Sequence, residues 1–274
     1  MKIFISSDME GTAGVVDWDQ VTAGGHLHDY YADLLTQEIN AAIDGAVQAG
    51  ATEFLLNDSH GKMANLRPDA LSGSARYLSG RFKPMYMMQG LDASFDAVFF
   101  ISYHGSMSSK SAALSHTYTP VAFTEVTING VVTGEAGINA LVAQAYGVPV
   151  VLVTGDDITA QEIEPFCPGV HTAVVKESVT RFAANSLHPA EARRLIFDKA
   201  AQAITALNSA QKVSIKLPVT LDITFRTSDY ADLAERVAGV ERTSVLTARI
   251  VGSDPLEVHR NFITVVLLCR GLSE

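Results

Sequence analysis

The chain has 274 residues, 47% of them hydrophobic, which is ample material for a large core. Only 18% are charged, against about 25% in an ordinary soluble domain, so extra area is expected to be buried between copies of the chain. A formal net charge of −10 argues against nucleic acid or an anionic membrane as partner, since both require a positive surface.

The chain opens on Met1-Lys2-Ile3-Phe4-Ile5-Ser6-Ser7-Asp8, whose apolar run is too short for a secretory signal. No apolar run approaches the roughly 18 residues of a membrane span. Cys167 and Cys269 are too few and too far apart for a disulfide framework or a cysteine zinc site. A cytoplasmic protein with reduced thiols is the expectation.

In chain order, residues 3–7 read as a buried strand. Leu35, Ile39, Ala42, Ile43, Ala46 and Val47 recur at helical spacing, and Gly50 follows as a stop. Residues 53–57, 84–88 and 97–101 read as further strands. Residues 122–128 and 131–133 flank Asn129-Gly130, a hairpin signal, and a helix over 135–146 closed by Gly147 leads into a strand at 149–153. Beyond it come a strand at 170–175, a helix opened by Pro189, and strand-like runs at 212–217 and 219–225 parted by Pro218. Short strands near 240–251 follow, then a helix start at Asp254-Pro255, with 262–268 ambiguous between helix and strand. Strands alternating with helices predict an α/β fold: a mostly parallel sheet with helices on both faces over residues 1–155, and a smaller α+β part over 156–274.

Four polar residues then acquire a common address. Asp8 and Glu10 follow the first strand, His60 follows the second by three residues, and His104 follows strand 97–101 by three. In an open parallel sheet those strand ends share one rim, where ligands bind. Glu135, at a helix start, adds a fifth group in a position that suits a carboxylate. Singly, each is an ordinary cap or turn residue; together they form a plausible metal site. Imidazole with carboxylate suits zinc, and also manganese, cobalt or iron. Five such groups exceed the three that one catalytic zinc takes from protein and suit two metals about 3.5–4 Å apart. His116 reads as a polar loop residue or as an acid–base or oxyanion group. Asp58 either orients a ligand histidine or stabilises its own turn, and Thr154-Gly155-Asp156-Asp157 either caps a helix or reaches the same rim. The glycines near 11–14 do not make a dinucleotide fingerprint.

Ser7-Asp8-Met9-Glu10-Gly11, Asn57-Asp58-Ser59-His60-Gly61 with Met63 and Asn65, Tyr103-His104, His116-Thr117, and Asn129-Gly130 before Gly134-Glu135 occur in that order. In these residues the chain resembles the zinc-dependent D-aminopeptidases encoded with bacterial dipeptide transporters. The likeness runs to about Thr180, taking in Val153 to Asp157 and Val175-Lys176-Glu177, and is weaker to the C-terminus. The resemblance implies two zinc ions per subunit, with Asp8 bridging, Glu10 and His60 completing one site, and His104 and Glu135 the other. It implies His116 as the catalytic group, with a nucleophile's role among those open to it, and a homodecamer of two stacked pentamers around a central chamber. Family members usually carry Ala after the second ligand histidine and a Gly soon after. Here the run is His104-Gly105-Ser106-Met107-Ser108-Ser109-Lys110, a loop expected to shape the substrate pocket.

The function expected is hydrolysis of the N-terminal bond of small peptides, D-alanyl peptides above all, by water activated at the dinuclear zinc site. Two rivals stand beside it: a two-metal phosphoesterase, which lacks an obvious Arg or Lys beside the ligands in the first half, and a non-catalytic metal- or peptide-binding protein.

Overall fold

The computed structural model describes residues 1–73, 75–109 and 111–273. Lys110, the end of the loop that departs from the family pattern, lies outside the described residues.

The apolar run Ile3-Phe4-Ile5 forms β1 (Lys2–Ser7). α1 (His28–Gln48) follows and buries Leu35, Ile39, Ala42, Ile43 and Ala46 along one side, the period-3.6 stripe of an amphipathic helix. Then come β2 (Glu53–Asp58), β3 (Arg76–Leu78) and β4 (Ala97–Tyr103), the last buried throughout. The hairpin β5 (Phe123–Ile128) and β6 (Val131–Val132) turns at Asn129-Gly130 and leads into α2 (Glu135–Tyr146). β7 (Val150–Asp156), α3 (Asp157–Ile163), β8 (His171–Thr180), β9 (Ala183–Ser186) and α4 (Pro189–Thr205) follow. The chain ends with β10 (Val219–Phe225), α5 (Ser228–Ala234), β11 (Val240–Arg242), β12 (Thr247–Gly252) and α6 (Pro255–Ser273).

Seven strands form one sheet in the order β3-β2-β1-β4-β7-β8-β9, parallel except for the last pair. The expected α/β architecture is thus observed. α1 and α4 cover one face, packing Leu35, Ile39, Ile43 and Ile196 on Ile3, Ile5, Phe99 and Ile101. The other face, with Phe4, Val98 and Phe100, meets α2, α6 and a five-stranded antiparallel sheet ordered β11-β12-β10-β5-β6. That second sheet draws β5 and β6 from before residue 155 and the rest from after it, while β8 and β9 belong to the first. Among the described residues no helix is long and apolar enough to cross a membrane.

Two expected strands are not strands. Residues 84–88 contain a 3-10 turn at Tyr86–Met88, because the Asn57 amide takes the carbonyls of Tyr86 (3.0 Å) and Met87 (2.7 Å) that a strand would offer to a neighbour. The run 212–217 is irregular, and the backbone of Ile215 bonds both ways with the Gln144 side chain instead of a ladder. The ambiguous segment 262–268 is helical, within α6.

One consequence of the order matters for function. From β1 the chain winds outward through β2 and β3, then returns to β4 and winds the other way through β7 and β8. The C-terminal ends of β1 and β4 therefore flank the switch point, where an open sheet leaves a crevice for a ligand.

Candidate metal centre

Asp8 is the first residue beyond β1 and His104 the first beyond β4, so adjacent strands deliver both to the crevice. The segment after β1 stays against β4: Asp8 N–H donates to Ile101 O (2.9 Å) and Gly11 N–H to Ser102 O (2.8 Å). A side chain at Gly11 would place its Cβ 2.0 Å from Tyr103 O, and one at Gly155, where φ is +147°, would place it 1.8 Å from the same oxygen. Only glycine tolerates that approach at both places.

Buried side chains hold these loops from behind. Lys176 on β8, 1% exposed, donates to the carbonyls of Glu10, Thr12 (3.3 Å) and Val15 (2.7 Å). Burial pulls its amine down to about 8, against the pull of Asp156, Glu38 and the site carboxylates. Glu38 on α1 accepts from Ala13 N–H (2.9 Å) and Ser102 Oγ (2.7 Å), and burial raises its carboxyl to about 7. Lys83 donates to Asn57 Oδ1 and Asp58 O behind His60. Asp58 accepts from the N–H groups of Asn65 (2.6 Å) and Leu66 (3.1 Å), which makes it a stabiliser of its own loop. Asp156 does both things considered for it: it caps α3 through Thr159 N–H (2.7 Å) and holds Gly105 N–H (3.0 Å) beside His104.

Lys176→Met would leave three buried carbonyls without their donor. The expected cost is about 2–4 kcal/mol, read as a lowered thermal midpoint of the metal-free protein. An unchanged midpoint would show that those carbonyls find other donors.

The six predicted residues converge. Asp8, Glu10, His104, His116 and Glu135 are between 1% and 7% exposed, and His60 is slightly more open. His60 Nδ1 lies 3.3 Å from Asp8 Oδ1 and 2.9 Å from Glu10 Oε2. His104 Nε2 lies 3.4 Å from Asp8 Oδ2 and 3.8 Å from Glu135 Oε1. His116 Nε2 is 3.8 Å from both Glu10 Oε1 and Glu135 Oε1, and its ring stacks on His104 with centroids 4.3 Å apart.

The second nitrogen of each ring decides what the first can do. His60 Nε2 is 2.6 Å from Val21 O, His104 Nδ1 is 2.9 Å from Gly105 O, and His116 Nδ1 is 2.9 Å from Leu114 O. A carbonyl only accepts, so each of these nitrogens carries the hydrogen. In the neutral rings the nitrogens facing the carboxylates are then bare, and a lone pair pointing at an anion is repelled unless a cation stands between them. Asp8 Oδ2, Glu10 Oε2 and His104 Nε2 are buried without a hydrogen-bond partner among the described residues; the 2.9 Å approach of Glu10 Oε2 to His60 lacks hydrogen-bond geometry. Burial of unpaired charges is costly, and a metal relieves it.

Without a metal, protons take those places. Burial works against charge on His104, yet Asp8 and the other carboxylates raise it to about 10, and Glu10 with Asp8 raises His60 likewise. For Asp8, burial is outweighed by His104 and His60, which hold its carboxyl well below the usual range. Burial and the Asp8 charge push Glu135 up to about 8. His116 moves the other way, down to about 4, through burial and the positive charge on stacked His104. Donor atoms fall into three mutually close sets: Asp8, Glu10 and His60; Asp8, His104 and Glu135; and Glu10, His104 and His116. The donors are those of a zinc site, and the arrangement fits one.

A cleft of about 250 Å³ opens onto this cluster, walled by Trp18, Val21, Tyr86, Met87, Tyr118 and Pro120 among others. Trp18 meets His116 edge-on at 5.3 Å. Residues 105–109 are not among its walls. Ser106 and Ser109 are tied instead to Glu162 on α3, at 2.6 and 2.8 Å, so the described part of the departing loop packs on α3 rather than lining this cleft. A cation does enter the cleft, from the far end of the chain: Arg270 on α6. Neither it nor Lys83 announced itself in the sequence, and Lys176 stood out only within the matching run Val175-Lys176-Glu177, with no role attached.

The family model described as D-aminopeptidase (Peptidase_M55) matches residues 1–264. D-aminopeptidase of Bacillus subtilis (strain 168) is 35% identical over 274 residues, covering 100% of this chain and 99% of that one. The solved structure of Zn-dependent D-aminopeptidase DppA from Bacillus subtilis, described as a self-compartmentalizing protease, superposes with a TM-score of 0.92 at 35% identity. That likeness covers 98% of this chain and 97% of the other. With sequence, fold and a converging cluster of carboxylates and imidazoles all in agreement, the chain belongs to the M55 peptidases, the D-aminopeptidase family.

Proposed function

We propose that this chain is a zinc aminopeptidase that removes the N-terminal residue of small peptides, with D-alanyl peptides as preferred substrates. The observation that carries the reading is the split of one carboxylate: Asp8 turns Oδ1 toward His60 and Oδ2 toward His104. In this assignment Asp8, Glu10 and His60 would hold one zinc ion, and Asp8, His104 and Glu135 a second. Charge supports a pair: one divalent cation leaves part of the three carboxylate charges uncompensated, and two leave a surplus that favours deprotonation of water. When bound, zinc polarises a carbonyl and lowers the pKa of water from 15.7 toward about 7.

The chain's own groups do the rest. The N-terminus of a peptide reaches the cluster through the cleft, whose walls of Trp18, Tyr86, Met87 and Tyr118 exclude bulk water. His116 stays neutral at pH 7 with its Nδ1–H held by Leu114 O, so Nε2 is a proton acceptor. It takes a proton from the attacking water and delivers it to the departing amine. Zinc support comes from the described nature of the relative, as does a closed assembly. The low charged fraction favours a subunit that buries area against its own copies, and the assembly assigned here is a homodecamer.

The test is cleavage of D-Ala and L-Ala p-nitroanilide by zinc-loaded and EDTA-treated protein. The D form is expected to be cleaved faster, with loss of about 10³-fold or more on chelation and recovery on adding zinc. Hydrolysis that ignores EDTA would remove the zinc mechanism, and a strong L preference would overturn the substrate assignment.

A further inference from the structure

We propose that Arg270 binds the C-terminal carboxylate of the substrate and so fits this cleft to free di- and tripeptides. This rests on the aminopeptidase reading and names the substrate class within it.

Arg270 lines the same cleft as Asp8, Glu10 and Glu135. It is half-buried near the end of α6, and it pairs with no carboxylate among the described residues, unlike Arg67, Arg194, Arg242 and Arg249. Its guanidinium is nonetheless held in place. One Nη2–H donates to Tyr118 O at 3.1 Å, and the guanidinium carbon sits 5.3 Å from the centre of the Tyr86 ring. A guanidinium has five N–H donors, and the bond to Tyr118 O with the contact to the Tyr86 hydroxyl leaves others for a planar anion.

The position is set by a short relay. Tyr118 N–H donates to Glu135 Oε1 at 2.7 Å, while the carbonyl of the same residue accepts from Arg270. Bond lengths within one residue then keep the guanidinium nitrogen no more than about 9 Å from the Glu135 oxygen. Each residue beyond the scissile bond adds at most about 3.6 Å of reach. A peptide with one or two residues after that bond can place its carboxylate on Arg270 while its scissile carbonyl lies at the acidic cluster. A short peptide with a free C-terminal carboxylate matches a cleft with the donor cluster at one end and a guanidinium at the other. Lys62, exposed on the same cleft, adds positive charge at the rim.

The experiment compares D-alanyl-D-alanine with its C-terminal amide, using zinc-loaded wild-type, Arg270→Met and Arg270→Lys proteins, with zinc content measured for each. Wild type is expected to favour the free acid by roughly 10- to 100-fold in kcat/KM, mostly through KM. Arg270→Met should bring the acid-to-amide ratio near unity, and Arg270→Lys should leave it in between. A merely structural role, holding Tyr118 and through it Glu135, would lower both substrates together and keep their ratio; that result overturns the inference. So does equal use of acid and amide by wild type, which needs no variant to fold. Failure of wild type to cleave either peptide with zinc bound would instead overturn the aminopeptidase reading, and this inference with it.

Discussion

Asp8→Ala is expected to abolish hydrolysis, by about 10³-fold or more, and to leave less than one zinc per chain. No other residue of the cluster belongs to both of the close donor sets that share it, one with Glu10 and His60 and one with His104 and Glu135. Its loss leaves each set with two protein ligands, below the three that a catalytic zinc normally takes. Replacement of Glu10 or Glu135 alone would leave one set whole, so those variants should retain more zinc than Asp8→Ala. The loops themselves should survive, because their anchors are elsewhere: Lys176 on the carbonyls of Glu10, Thr12 and Val15, and Glu38 on Ala13 and Ser102. Elemental analysis beside kcat reads the result directly. An Asp8→Ala protein that keeps two zinc ions would remove the bridging assignment.

The candidate ligands were legible because a parallel sheet converts sequence position into spatial position. Asp8, His60 and His104 each follow a buried run within three residues, and the runs lie on neighbouring strands. Glu135 was legible for a related reason: Gly134 and Gly147 frame α2, and the helix begins at the glutamate itself. Long apolar runs and 3.6-periodic stripes carry their structure locally, as in β4 and α1. Segments whose backbone partners are side chains do not. The run at 84–88 looks like a strand, but Asn57 on β2 decides its shape from outside. The short edge strands β3 and β9 have only mixed burial and little apolar pattern to reveal them. The roles of Lys176, Lys83 and Arg270 were illegible for a deeper reason. Their acceptors are 25 to 166 residues away, and nothing in the identity of a lysine says that its amine will be buried against distant carbonyls.

His116→Ala is the variant that separates chemistry from metal binding. Turnover is expected to fall by about 10²- to 10⁴-fold, the range of a general acid–base group, with zinc content unchanged. The geometry argues for that separation. Nε2 is 3.8 Å from Glu10 Oε1 and from Glu135 Oε1, farther than His60 from its carboxylates, and its ring is held between stacked His104 and the edge of Trp18. Those contacts fix a ring that faces the cluster without being drawn into it. Positive charge at His104, whether a proton or a bound cation, disfavours a proton on His116 and leaves Nε2 as a base. The competing role is equally concrete, since Glu10, His104 and His116 also form a close donor set. If His116 is a ligand, His116→Ala loses zinc and activity together, and added zinc restores part of both. If it carries the proton, zinc stays, and added imidazole occupying the vacated space beside Trp18 restores part of the turnover. Activity within threefold of wild type would remove His116 from the reaction altogether.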